Sequence, residues 1–279
     1  MSASFEAILL SRSFTFIVGA DEVPIAVHEA TFADQSPGLK ALMQTEMSEG
    51  LAREAKWEDV DKETFIRFAQ YAYIGDYSIP KMIVKPSAPL ADEALPPSSF
   101  RDDPQLSDEW SYRAPVKKAG KKQIYSPPIP VFKDLNYARP MPQFNFADTY
   151  DPTAGEGPSE NIGEILQIHA SLYVLAEKWR IDRLKRLTLF KIHKTLSLFS
   201  LDTPKLEYVI DFVRYAYSDE RTPDLENSVD GLRELVCEYI TANAEFTSRN
   251  AVFLALIEEG GALARDLWKH AAPRVKKSN

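Results

Sequence analysis

Between Pro80 and Gly163 lie 14 of the chain's 19 prolines, in phrases such as KPSAPLADEALPPSSF and YSPPIPVF. Each proline locks φ and removes a backbone donor, so neither a helix nor a sheet ladder runs far through this stretch. Any packed core must therefore be assembled from the residues before and after it. The expected organisation is a first folded part over 1–80, a proline-rich and mostly disordered insertion over 81–163, a pair of helices over 164–200 and a helical region over 201–279. Phe132, Tyr137, Phe144, Phe146 and Tyr150 are more aromatics than a spacer needs, so part of the insertion is expected to dock on the folded parts. KKAGKK (117–122) has the look of an import signal and PPIP that of a ligand for a proline-binding domain; both read more simply as solvated linker.

Ahead of the insertion, SFTFIVG (13–19) and PIAVHE (24–29) flank a short polar turn, the pattern of a β-hairpin. Ser36 before Pro37 marks a helix start, since serine caps and proline is tolerated in the first turn. EAKWEDV supplies a third short strand. Asp61 then opens FIRFAQYAYIGDY (65–77), where Phe65, Phe68, Ala69 and Ala72 form one apolar helical face and Gly75 stops the helix.

Past the insertion the signal is helical throughout. Leu172, Leu175, Ala176 and Trp179 share one face; Leu184, Leu187, Phe190 and Ile192 share another after a break near Ile181–Asp182. Thr203-Pro204 and Asn250 read as helix starts and Gly260-Gly261 as a break. VIDFVRYAYSDE (209–220) echoes the helix at 65–77, which reads as a similar packing solution because strands precede only the first copy.

Charge and composition narrow the function. Residues 1–79 carry 6 basic and 13 acidic side chains, so a phosphate-binding surface is not expected there. Seven Lys or Arg between Lys178 and Lys194 read as the solvated face of a helix. No stretch approaches the roughly 20 apolar residues of a membrane span, and the first residues do not read as a signal peptide. The single cysteine, Cys237, lies on a helical pattern and reads as a small buried hydrophobe. His28, His169, His193 and His270 are scattered, without metal-ligand spacing, and His28 is expected to bond its own backbone turn. The reading is an intracellular protein of nucleus or cytoplasm, with no nucleic-acid or membrane partner, no cofactor, no metal site and no catalytic residues.

The ordered set Val18-Gly19, Val27-His28, Ala30, Ser36-Pro37, Leu39, Leu42, Met47, Glu49, Val60-Asp61, Thr64-Phe65, Arg67-Phe68, Tyr71-Ala72-Tyr73 and Gly75-Asp76-Tyr77 resembles a BTB/POZ domain of the fungal branch. LYVLAEKWRIDRLKRLTLFKIH resembles the closing helices of that fold, so the resemblance covers about 13–79 and 166–196. It implies an α+β fold: a BTB/POZ-like helical cluster capped by a small β-sheet, interrupted by the proline-rich insertion and followed by an α-helical region. It also implies a protein-interaction scaffold rather than an enzyme. Members that act as substrate adaptors for cullin-based ubiquitin ligases carry a hydrophobic-x-Glu motif, which Met47-Ser48-Glu49 matches in position. An exposed Met can enter an apolar pocket while Glu49 pairs with a base. Members that act as dimerising or transcription-related scaffolds use a charged groove; Ser13 and Glu29 stand at the aligned positions, and neither preserves its charged pair. Phe5, Ile8, Leu9 and Leu10 have the apolar density of a homodimer interface or of a cover for the chain's own core.

Overall fold

The computed structural model describes residues 4–44, 48–80, 131–140, 161–198, 201–218, 221–225 and 228–275. In chain order these form α1 (Phe5–Leu9), β1 (Ser13–Val18), β2 (Val23–His28), α2 (Glu29–Ala33), α3 (Pro37–Gln44), α4 (Ser48–Ala52), β3 (Glu54–Trp57) and α5 (Lys62–Ile74). A 3-10 turn (Phe132–Asp134) precedes α6 (Ile162–Lys178) and α7 (Asp182–Ser197). The chain continues as α8 (Thr203–Tyr217), α9 (Gly231–Ala242), α10 (Ala244–Thr247), α11 (Ala251–Glu258) and α12 (Gly261–Val275). The fold is mixed α+β, mostly helical with one three-stranded sheet.

β1 and β2 pair antiparallel from Ser13↔His28 to Val18↔Val23. Gly19, at φ +73°, begins the turn between them in the left-handed region that favours glycine. β3 lies parallel to β1, from Thr15↔Glu54 to Val18↔Trp57, giving the order β2-β1-β3. A parallel return needs a crossover, and α2, α3 and α4 provide it. Along β1, Phe14, Phe16 and Val18 point inward while the residues between them are more exposed, the alternation of a strand with one buried face. The Phe16 ring lies 4.7 Å from Trp57, 5.1 Å from Phe65 and 5.6 Å from Phe32, so the sheet, the crossover and α5 meet in one aromatic cluster.

Local chemistry bounds α5 at both ends. The Asp61 carboxylate accepts from the Thr64 amide at 2.8 Å, and Gly75, at φ +76°, donates its N–H to the Tyr71 carbonyl. Phe65, Phe68, Tyr71 and Ala72 are buried. In α8 the corresponding Phe212 and Ala216 are buried too, but in a second cluster formed with α9, α11 and α12. The two phrases thus use the same Phe-x3-Ala inward face. They part at Ile66, which is exposed, and Ile210, which is buried.

α6 and α7 serve both clusters. Leu172, Leu175 and Ala176 of α6, with Leu184 and Leu187 of α7, join the first. Ile162, Leu166, Ala170 and Tyr173 of α6, with Ile192 and Leu196 of α7, join the second. The chain reverses between them at Arg180, φ +53°.

Polar side chains tie this junction together. Lys191 is fully buried, with Nζ 2.5 Å from Asp76 Oδ1 and 2.8 Å from the Tyr77 carbonyl oxygen. The basic run over 178–194 is therefore not wholly a solvated face: an inward position of α7 carries a cation because a carboxylate waits there. Tyr77 Oη lies 2.7 Å from His169 Nδ1, and both residues are buried. Residues 131–140, from within the proline-rich stretch, also pack at this end: Phe132 is buried, and Arg139 bonds Asp76 at 2.8 Å. Of the other insertion aromatics, Tyr137 is docked, whereas Phe144, Phe146 and Tyr150 lie outside the described residues.

Candidate functional site

α3, α4 and β3 are joined within a dozen residues, so the crossover that returns the chain to the sheet also builds a surface. α4 carries Glu49, half-buried, at the edge of a groove of about 510 Å³ whose lining includes Leu42, Ala52, Glu54, Trp57 and Trp179. Trp57 is buried and stacks on Trp179 at 4.9 Å and 17°, making an aromatic wall shared by β3 and the end of α6. Trp179 Nε1 is buried and meets no hydrogen-bond partner among the described residues. At the rim, Lys178 Nζ meets Asp59 Oδ2 at 2.5 Å; both side chains are half exposed, so the pair contributes little to stability.

Met47 lies outside the described residues. Leu51, two residues after Glu49 in α4 and 71% exposed, is an apolar side chain that the sequence reading missed. The acids Glu49, Glu54 and Asp59 lining the aromatic-walled groove, with an exposed apolar side chain on the same short helix, suit a partner with an apolar surface and a basic rim.

The apolar N-terminal residues divide. Ser4 caps α1 through its hydroxyl, which accepts from the Ala7 amide at 3.1 Å. Ile8 is 4% exposed, whereas Phe5, Leu9 and Leu10 are 63%, 54% and 79% exposed. Ile8 accordingly leaves the candidate dimer set and anchors the helix. Phe5 and Leu9, one turn apart at i,i+4 spacing, form the exposed edge of the helix. Glu29 is buried, paired with Arg12 at 3.1 Å and accepting from Gln44 Nε2 at 3.0 Å, so it faces no open groove.

The titratable groups serve structure. His28 Nδ1 lies 2.8 Å from Tyr73 Oη, a bond to α5 rather than to its own turn as expected. His193 Nε2 lies 2.7 Å from the Phe132 carbonyl oxygen. The Cys237 thiol is buried and pushed up to about 11 by that burial, which leaves almost no thiolate at neutral pH. A cleft of about 720 Å³ runs between the β1–β2 turn, α6 and the end of α8, with Asp59, Asp61, Glu177, Lys178 and Arg221 in its walls. Among the described residues no group of three or more His, Cys, Asp or Glu is placed to hold a metal ion. No helix among them is long and apolar enough to cross a membrane. Compared with known proteins, the chain matches no family model, no curated sequence and no solved structure.

Proposed function

We propose that the chain is a BTB/POZ-type protein–protein interaction module, inside the cell, that serves as a substrate adaptor for a cullin-based ubiquitin ligase and acts by binding rather than by catalysis. The observation that carries this reading is the crossover from the hairpin to a parallel third strand, with Glu49 of α4 lining an aromatic-walled groove. The order of hairpin, crossover helices, third strand, α5 and two further helices is what a BTB/POZ domain requires, and the hydrophobic-x-Glu motif falls on the crossover. In that role the apolar side chains around 47–51 enter a pocket of the cullin, and Glu49 meets a base at its rim. Central contacts of this type cost at least about 2 kcal/mol when truncated, roughly a thirtyfold loss of affinity. Titration with a cullin N-terminal domain is expected to give micromolar or tighter binding that Met47→Ala with Glu49→Ala weakens by that factor or more. A silent wild type, or an indifferent double variant, sinks the adaptor reading.

The exposed face of α1 favours a second reading, a dimerising or transcription-related scaffold with no ligase role. Three large apolar side chains in six residues stay in water while Ile8 alone goes inward. A homodimer through this face predicts a twofold mass by sedimentation equilibrium at micromolar concentration. Phe5→Glu with Leu9→Glu should return it to monomer without changing the circular dichroism spectrum. A monomeric wild type removes this reading and leaves α4 as the working surface.

A further inference from the structure

Residues 131–140 lie across α7 and α9 in the manner of a bound peptide. The amides of Asp134, Leu135 and Tyr137 bond to Val131, Phe132 and Leu135, within the segment itself. The body is held by one carbonyl and by its side chains, Leu135 packing on the second cluster beside the three contacts that follow. His193 of α7 bonds the Phe132 carbonyl oxygen at 2.7 Å, and the Phe132 ring is buried between His193 at 4.8 Å and Tyr239 of α9 at 5.0 Å. Tyr137 stacks on His193 at 4.9 Å and donates its hydroxyl hydrogen to Glu238 at 2.5 Å. Arg139 reaches Asp76 at 2.8 Å. Aromatic, aromatic and cation thus occupy an aromatic slot, a stacking platform with an acceptor, and a carboxylate.

We propose that this groove is a peptide-recognition surface that the chain fills with its own segment, and that a partner protein presenting Phe, Tyr and Arg at the spacing of positions 132, 137 and 139 docks there by displacing it. Anchoring by spaced side chains is how proteins hold extended ligands, and it leaves recognition independent of what joins the ligand to its source. Here the joining stretches, 81–130 and 141–160, are 50 and 20 residues long. Covalent joining by itself supplies a local concentration on the order of millimolar. That concentration exceeds a micromolar second copy about a thousandfold, so exchange between copies is suppressed. A partner that adds contacts outside the groove escapes the limit. The acids Asp76 and Glu238 favour a ligand bearing a hydroxyl donor and a cation over an acidic one.

A fluorescent peptide PVFKDLNYARP, titrated into the full chain and followed by anisotropy, tests this. A peptide that binds an emptied groove at about 10 μM should bind wild type roughly 100-fold more weakly, because the tethered copy competes at about 1 mM. Phe132→Ala with Tyr137→Ala empties the groove and should restore the tighter binding. Since Phe132 sits in the core, Tyr137→Ala with Arg139→Ala, which leaves that ring in place, is the second variant, expected to gain about tenfold if the double aromatic variant does not fold. The same peptide with alanine at both aromatic positions should not bind. No binding to a variant that retains its helical circular dichroism, binding equal to wild type, or equal binding of the alanine peptide would each overturn the proposal. Residues 131–140 would then be a fixed part of the core.

Discussion

Lys191→Met is expected to destabilise the protein by roughly 3–5 kcal/mol, the usual cost of removing one partner of a buried ion pair. The effect should appear as a lower urea midpoint at unchanged slope. Lys191 has no solvent exposure; its ammonium is 2.5 Å from Asp76, 2.8 Å from the Tyr77 carbonyl oxygen and 4.2 Å above the Tyr77 ring. Methionine fills much of the same volume, so the loss measures the charge and its hydrogen bonds rather than a cavity. What remains is a carboxylate, 7% exposed, that keeps Arg139 at 2.8 Å but loses its buried cation. Adding Asp76→Asn should recover part of the loss, because the buried carboxylate then goes with its buried cation; Arg139, 23% exposed, loses this carboxylate and keeps the recovery partial. A single variant that costs under about 1 kcal/mol would mean that water reaches Asp76 and the network is not structural. Folded domains hold only about 5–15 kcal/mol in reserve, so this one contact decides much of the margin.

Acidification should weaken the fold through His169. Its ring is fully buried against Tyr77, and burial first, then the nearby Lys191 and Arg67 charges, hold its pKa well below the ordinary 6.5. Above pH 6.5 the imidazole is neutral both folded and unfolded, and this group contributes no pH dependence. As pH falls below 6.5 the unfolded chain takes up a proton that the folded one refuses. Stability then drops by up to about 1.4 kcal/mol per pH unit until the depressed folded pKa is reached. Urea unfolding of wild type and His169→Gln at pH 8, 6 and 5 reads this directly. The variant should lose the part of the slope below pH 6.5 that belongs to His169. Parallel curves would show that other groups carry the acid sensitivity.

Both predictions concern a junction that the sequence only half disclosed. Elements set by local chemistry were legible: the Asp61 cap, the Gly75 stop, the alternation of β1, the Ser36 start of α3, the Asn250 cap of α11 and the break before α7. Each depends on residues within a few positions of one another. Lys191 was not legible, since a lysine on a basic helix reads as solvated until a distant carboxylate is brought to it, here from 115 positions earlier. His28 was misjudged for the same reason: its partner Tyr73 lies 45 residues on. Ile8 separated from Phe5, Leu9 and Leu10 because apolar density does not say which side of a short helix faces the core. At the candidate site the Glu49 position was readable, while the aromatic wall joining Trp57 to Trp179 was not.

By itself the sequence determined the β1–β2 hairpin, the two ends of α5 and the acidic character of the first third, because these follow from capping, alternation and composition within a few residues. Only the tertiary structure decided that β3 returns parallel to β1, that α6 and α7 are shared by two clusters, and that Phe132 and Tyr137 seat on α7 and α9 while Arg139 reaches Asp76. Those outcomes depend on which buried surfaces and charges meet across about 40 to 100 or more residues of chain, where packing complementarity and the cost of an unpaired buried charge choose the partner.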